Sequence, residues 1–235
     1  MKIAVIPARG GSKRIPQKNI KNFLGKPIIA HSIETAKVSG LFDRIIVSTD
    51  NHEIAAVARD FGAEVPFMRP AELADDYTGT NAVVKHSIEW LNINGFQIDF
   101  VCCIYATAPF LNISYLKQGI ERLEKTNKLY AFSVTSFPST IFRSFRMDND
   151  DSVKMFWPEY LNTRSQDLPV AYHDAGQFYW GKPEAFLKNY PVFSNHSIGI
   201  VLPQHLVMDI DTIEEWKQAE LMYKALQIEE QQCTA

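Results

Sequence analysis

Arg9, Lys13, Arg14 and Lys18 fall within ten residues of one another, in the run Ala8-Arg9-Gly10-Gly11-Ser12-Lys13-Arg14-Ile15-Pro16-Gln17-Lys18-Asn19. Adjacent glycines let successive backbone N–H groups turn toward an anion, and flanking Arg and Lys neutralise it. That combination suits a polyphosphate. The spacing is not that of a Walker A loop, which ends in Gly-Lys-Ser/Thr, nor of the G-x-G-x-x-G dinucleotide fingerprint. Taken alone, the segment also reads as a solvated basic loop.

A second candidate is Met208-Asp209-Ile210-Asp211-Thr212. In extended chain, residues two apart point to the same side, so Asp209 and Asp211 can share a ligand. Two like charges at that separation repel unless a cation lies between them. Mg²⁺ takes one or two carboxylates together with phosphate oxygens. Helix capping ahead of Glu214 and Glu215 would explain one carboxylate but not both. Beside a phosphate-binding loop, the pair reads as a Mg²⁺ site.

Other residues carry less. Arg69, in Met68-Arg69-Pro70, is either a ligand contact or a surface charge. Residues 162–167 and 173–177 are polar segments placed ahead of strands, as binding loops often are; His173 is either a substrate contact or structural. There is no G-x-S-x-G elbow, and no cysteine sits in a nucleophile motif, so covalent catalysis is not indicated.

The elements that must position these residues alternate along the chain. Ile3-Ala4-Val5-Ile6 reads as a buried strand, Lys26-Pro27 as the opening of a helix closed by Gly40, and Arg44 to Ser48 as the next strand. Asp50 then caps a helix, with Glu53 completing a capping box. Ala63–Phe67 reads as a short strand and Thr78–Thr80 as the start of a helix carrying Val84, Ile88 and Leu91. Asp99–Tyr105 and Tyr130–Thr135 are strands on either side of a helix capped by Asn112. Continuous apolar strands alternating with helices predict an α/β fold with a mostly parallel sheet covered on both faces. Beyond Ser136 the pattern changes. Phe142–Met147 and Val153–Trp157 flank Asp148–Asp151 as a hairpin, Gln177–Trp180 and Ile198–Leu202 are strands, and Glu214–Leu226 is a closing helix. The reading is one domain over 1–228, with an inserted β-rich segment near 137–175 and a frayed tail at 229–235.

Composition bounds the function. At 235 residues the chain is long enough for a full core without disulfide or metal staples. Its 46% hydrophobic and 22% charged residues exclude disorder and a fibrous fold. A net charge of −3 argues against a nucleic-acid partner and makes any basic patch local. The three cysteines form neither a disulfide framework nor a zinc spacing. The opening apolar run is too short for a signal peptide, and the stretch around Phe100–Leu111 falls short of a membrane span, so a cytoplasmic protein without membrane contact is expected.

The segments Ile6 to Lys13, Pro16, Lys18-Asn19 and Gly25-Lys26-Pro27 resemble the opening of the CMP-sialic acid synthetase family. So do Ile46-Val47-Ser48-Thr49-Asp50, Arg69-Pro70-Ala71-Glu72-Leu73 and Asp209-Ile210-Asp211-Thr212, in order from residue 1 to about 226. Phe100–Leu111, Asn162–Leu168 and Tyr172–Trp180 resemble the branch that activates pseudaminic acid. Where sialic acid synthetases usually carry Gln-Pro and Asn-Gly, this chain has Tyr105-Ala106 and Ala175-Gly176.

The resemblance implies a Rossmann-like, GT-A-like nucleotidyltransferase fold. It implies transfer of CMP from CTP to a nonulosonic acid, with release of diphosphate, for flagellin or surface-polysaccharide glycosylation. Pseudaminic acid is the implied acceptor; N-acetylneuraminic and legionaminic acids are the alternatives. A homodimer is implied, in which the 137–175 segment reaches toward the partner's site. Ala8, Gly10 and Gly11 belong to the nucleotide loop; Arg9, Ser12, Lys13, Lys18 and Asn19 are matched to nucleotide binding, with Arg69 and Thr80 completing the pocket. Arg9 and Lys18 would offset phosphate charge during catalysis, while Asp209 and Asp211 would hold Mg²⁺. Tyr105, Arg164, His173 and Gln177 match the sugar side. No general base is identifiable. Two rivals remain: a metal-dependent glycosyltransferase, which shares an Asp-x-Asp pair, and a catalytically silent nucleotide sensor.

Overall fold

Apolar side chains on adjacent strand positions face opposite sides of a sheet, so an unbroken apolar run requires cover on both faces. The computed structural model, which describes residues 1–233 and the side chains of 1–229, meets that requirement. In β1 (Lys2–Pro7), Ala4 and Ile6 face one core cluster while Ile3 and Val5 face another. In β5 (Phe100–Ile104) the adjacent cysteines split in the same way, Cys102 to the first cluster and Cys103 to the second. Helices α1 (Ile28–Ser39), α2 (His52–Asp60) and α4 (Ile113–Glu124) cover the first face. Helices α3 (Thr80–Ile93) and α5 (Pro183–Leu187) cover the second. A third cluster joins α6 (Ile213–Cys233) to the first loop through Ile15, Phe23, Ile28, Ile210 and Trp216.

Four further strands complete the six-stranded sheet: β4 (Arg44–Ser48), β6 (Tyr130–Ser136), β9 (Tyr172–Gly181) and β10 (Ser197–Val201). The order across the sheet is β10-β6-β9-β5-β1-β4. Neighbours run parallel except at β9, which lies antiparallel between β5 and β6. The expected mostly parallel α/β sheet is therefore present, with one reversed strand at its centre.

Several boundaries differ from the sequence expectation. Lys26-Pro27 does not open α1. It forms a short strand, β3 (Lys26–Pro27), paired with β2 (Asn22–Phe23), and Pro27 is the residue before the helix. Asn51, not Asp50, caps α2, its side chain accepting from the N–H groups of Glu53 and Ile54. Residues 63–67 contribute only an isolated bridge between Ile46 and Glu64. The 137–175 segment is not β-rich. Its strands are the three-residue β7 (Phe145–Met147) and β8 (Val153–Met155), which form the expected hairpin. The rest is mostly turns, and its last residues already belong to β9. Helix α6 continues through 229–233, where a tail was expected, and 234–235 lie outside the described residues. No helix among the described residues is long and apolar enough to cross a membrane.

Candidate active site

The carboxyl ends of β1, β4 and β5 open on one edge of the sheet, the edge at which α/β sheets bind ligands. The 8–19 loop leaves β1 there and is held at several points. The Ala8 N–H donates to the Ser48 carbonyl at 2.9 Å, the Gly10 N–H to Asp50 Oδ1 at 2.9 Å, and Asn19 Nδ2 to the Arg9 carbonyl at 2.9 Å. Ile15, fully buried, plugs the loop into the third cluster. The backbone is thereby fixed. The role expected of Gly10 changes accordingly. Its N–H is engaged by Asp50, and a Cβ there would lie 3.0 Å from Asn51 Cβ, so glycine serves close approach to the start of α2.

Arg9, Ser12, Lys13, Arg14, Lys18 and Asn19 line a cleft of about 470 Å³, together with Arg69, Thr80 and Tyr105 to Thr107. Ala8, Gly10 and Gly11 shape the loop but do not line the cleft. Two carboxylates hold the four cations of the loop. Arg9 Nη1 lies 2.7 Å from Asp76 Oδ1, and Lys13 pairs with the same carboxylate. Arg14 Nη2 is 2.7 Å from Asp211 Oδ2, and Lys18 Nζ is 3.1 Å from Asp211 Oδ1. Hydrogen bonds from Lys13 and Arg9 hold the Asp76 carboxyl below its usual range.

Arg69 is not a surface charge. It is 6% exposed and donates from Nε to Ser48 Oγ at 3.2 Å and from Nη2 to the Ser48 carbonyl. Burial draws its pKa down to about 10, with Asp50 opposing the shift, so it stays cationic at neutral pH on the floor of the cleft.

Asp76 occupies Arg9 and Lys13, so an anion binding to these two side chains would compete with it. Asp76→Asn is expected to tighten polyphosphate binding roughly two- to fivefold, the scale of an exposed ion pair. Calorimetric titration with inorganic triphosphate checks this, and weaker binding would show that Asp76 assists the anion.

Neither Asp209 nor Asp211 lines the cleft; Asp211 meets it through its pairs with Arg14 and Lys18. Burial and then the charge of Asp211 raise the Asp209 carboxyl above its usual range, with Lys18 opposing. Capping accounts for neither aspartate. Glu215 Oε2 accepts from the N–H groups of Asp211 and Thr212 at 2.9 and 2.7 Å, and Thr212 Oγ1 accepts from the Glu215 N–H at 3.2 Å. Thr212 and Glu215 therefore form the capping box of α6. That leaves two electrostatically coupled carboxylates, and among the described residues no group of three acidic, His or Cys side chains is placed to hold a metal. A donor set of two fits Mg²⁺ when phosphate oxygens complete the shell.

A second cavity, of about 600 Å³, adjoins the first and shares Thr80 and Tyr105 with it. Phe186, Val192 and Phe193 give it an apolar wall, while Asn81 and Asp174 add polar groups. Of the four sugar-side candidates, only Tyr105 lies here. Gln177 is buried, with Nε2 donating to the Leu206 carbonyl. His173 packs its ring 4.7 Å from that of Phe137, with Nδ1 beside the Asp174 carbonyl. Arg164 is exposed and pairs with Asp167 at 2.7 Å. Asn81, Asp174 and Tyr179 also line the cavity. The available signal was an aspartate and a tyrosine inside a strand otherwise rich in apolar residues. Cys103 also lines this cavity, but burial pushes its thiol up, away from the reactive thiolate.

The cytidylyltransferase family model matches residues 3–228. A pseudaminic acid cytidylyltransferase of Campylobacter jejuni is 47% identical over 222 residues, covering 94% of this chain and 96% of that protein. A Helicobacter pylori protein named as a pseudaminic acid cytidylyltransferase and a hydrolase of a UDP-linked diacetamido sugar is 40% identical, over 88% of this chain and 40% of its own length. Among solved structures, a CMP-2-keto-3-deoxy-manno-octonic acid synthetase complexed with CTP has the same fold. Its TM-score is 0.68 at 15% identity, with 95% of this chain and 98% of that one covered.

Proposed function

This chain belongs to the cytidylyltransferase family, and on that premise we propose that it converts CTP and pseudaminic acid to CMP-pseudaminic acid and diphosphate. The observation that carries the substrate is the near-full-length likeness to the Campylobacter jejuni enzyme of that activity. The two adjoining cavities support the chemistry: a cation-lined cleft for the triphosphate meets a more apolar cavity for the second substrate at Thr80 and Tyr105.

The anomeric hydroxyl of the sugar attacks the α-phosphorus in line, and diphosphate leaves. Transfers of this kind depend on positioning and charge stabilisation rather than on a protein nucleophile. Arg9, Lys13, Arg14 and Lys18 exchange their carboxylate partners for phosphate oxygens. Lys18 and Arg9 offset the charge that gathers on the departing diphosphate, and Arg69 supplies fixed positive charge beneath it. Cytidylyltransferases of this kind generally depend on a divalent metal. Mg²⁺ held by Asp209 and Asp211 would supply further charge neutralisation at the phosphates.

We read residues 1–228 as one nucleotidyltransferase domain and assign the 137–175 segment to contact with a second copy of the chain. The exposed Phe145, Met147, Val153 and Phe156 support that reading. The setting we infer is the cytoplasm, with the product serving flagellin or surface-polysaccharide glycosylation.

Diphosphate release from CTP and Mg²⁺ tests the reading, with pseudaminic, N-acetylneuraminic and legionaminic acids compared as acceptors. Release with pseudaminic acid alone is expected. Release with another acid only would keep the nucleotidyltransferase and replace its substrate. CTP binding with no release for any acid would favour the nucleotide sensor.

A further inference from the structure

The two adjoining cavities differ in charge. Arg9, Lys13, Arg14, Lys18 and Arg69 line the first, whereas among the described residues no Lys, Arg or His lines the second. Asp174, in β9, is the one carboxylate of the second cavity, in the company of Phe186, Val192 and Phe193. Two hydrogen bonds hold it. Oδ1 accepts from the Gly176 N–H at 3.0 Å, and Oδ2 accepts from the Tyr179 hydroxyl. Burial keeps the Tyr179 phenol protonated, so its role is that of donor.

An ionised carboxylate offers about four lone-pair sites and no proton. Two of them are taken, and the Asp174 side chain is exposed, so about two remain for a ligand. Such a group accepts N–H and O–H donors, which an acylamino sugar carries. It also repels a second carboxylate, which would find no cation in this cavity to offset its charge. The acid to be activated is itself a carboxylate, and in a nonulosonic acid that group is bonded to the anomeric carbon. Kept out of the second cavity, it turns toward the cations of the first. The anomeric hydroxyl turns with it, toward the triphosphate.

We propose that Asp174 is a specificity-determining residue for the second substrate: its carboxylate accepts a hydrogen bond from an N–H or O–H of the acid and keeps the acid's own carboxylate out of the second cavity. The proposal rests on the cytidylyltransferase reading above and deepens it.

Asp174→Asn removes the charge yet keeps an oxygen for the Gly176 N–H, so the turn at Gly176, with φ +62°, is preserved. It is expected to lower kcat/KM for the acid roughly 10- to 100-fold, the scale of one hydrogen bond to a charged group, while the CTP KM stays within about twofold. Asp174→Lys reverses the charge and should lose at least about tenfold more, because it draws the acid's carboxylate into the wrong cavity. The acid used is whichever of the three the wild-type enzyme turns over, and a thermal melt establishes that each variant is folded. Were Asp174 needed only to hold the Gly176 turn, Asp174→Asn would match the wild type and Asp174→Ala alone would fail. That result, or a CTP KM that rises in parallel with the loss, would overturn the proposal alone. A Lys variant no worse than the Asn variant would overturn the exclusion of the carboxylate. No turnover of any acid by the wild type would overturn the functional reading and this proposal with it.

Discussion

Asp211→Ala is expected to cost at least about 100-fold in diphosphate release, or about 2.7 kcal/mol of transition-state stabilisation, and to leave the fold in place. Asp211 holds Arg14 and Lys18 at 2.7 and 3.1 Å and is one of the two neighbouring carboxylates proposed above to hold Mg²⁺. Its removal takes away half of that donor set. Stability should change by no more than about 1 kcal/mol, because the Asp211 pairs are partly exposed. The cap of α6 also survives, since Thr212 and Glu215 make it. In the presence of a chelator, CTP binding should hold or tighten, with Arg14 and Lys18 released toward the phosphates. Steady-state diphosphate release, a thermal melt and a CTP titration together check this. Near-normal turnover would remove Asp211 from the chemistry.

Lys18→Ala is expected to lower kcat/KM for CTP by roughly 30- to 100-fold, against less than about twofold for Lys37→Ala, on the exposed side of α1. The asymmetry comes from order. The Lys18 side chain is 19% exposed, against 78% for Lys13, and its Nζ is fixed by the Ile210 carbonyl at 2.8 Å as well as by Asp211. A cation already held in place loses little side-chain freedom when it meets phosphate, so more of its attraction reaches the transition state. Equal losses at the two lysines would mean that the loop is only a solvated surface.

Much of this frame was legible in the chain. Ile3 to Ile6 has no polar position, so it had to be covered on both sides, and Asn112 caps α4 by accepting from the Ser114 N–H as its position suggested. The cations of the 8–19 loop could be recognised by type and spacing, but not the partners that hold them, because Asp76 and Asp211 come from distant chain. Asp50 and Asn51 are equally good caps by propensity. The choice was made by Gly10, whose N–H takes the Asp50 carboxylate and leaves the helix to Asn51. The second cavity was the least legible part. The register between β6 and β9 shifts between Phe132 and Val134, so alternation along β9 does not tell which of Asp174, Gln177 and Tyr179 reaches the substrate side. Nor does an apolar strand state its direction, so the reversal of β9 was not visible in its composition.

That reversed strand also governs when the sheet can exist. β6 and β10 reach β5, β1 and β4 only through β9, which pairs with both halves. On the ribosome, four of the six strands are complete by Ser136, yet two of them, β5 and β6, must wait as open edges a strand-width apart until Gly181 has emerged. A chain severed at the tip of the β7–β8 hairpin would keep every strand of the main sheet whole and still divide it between fragments. Neither fragment would hold a closed sheet, and the carboxyl-terminal piece would be the keystone that lets the other assemble.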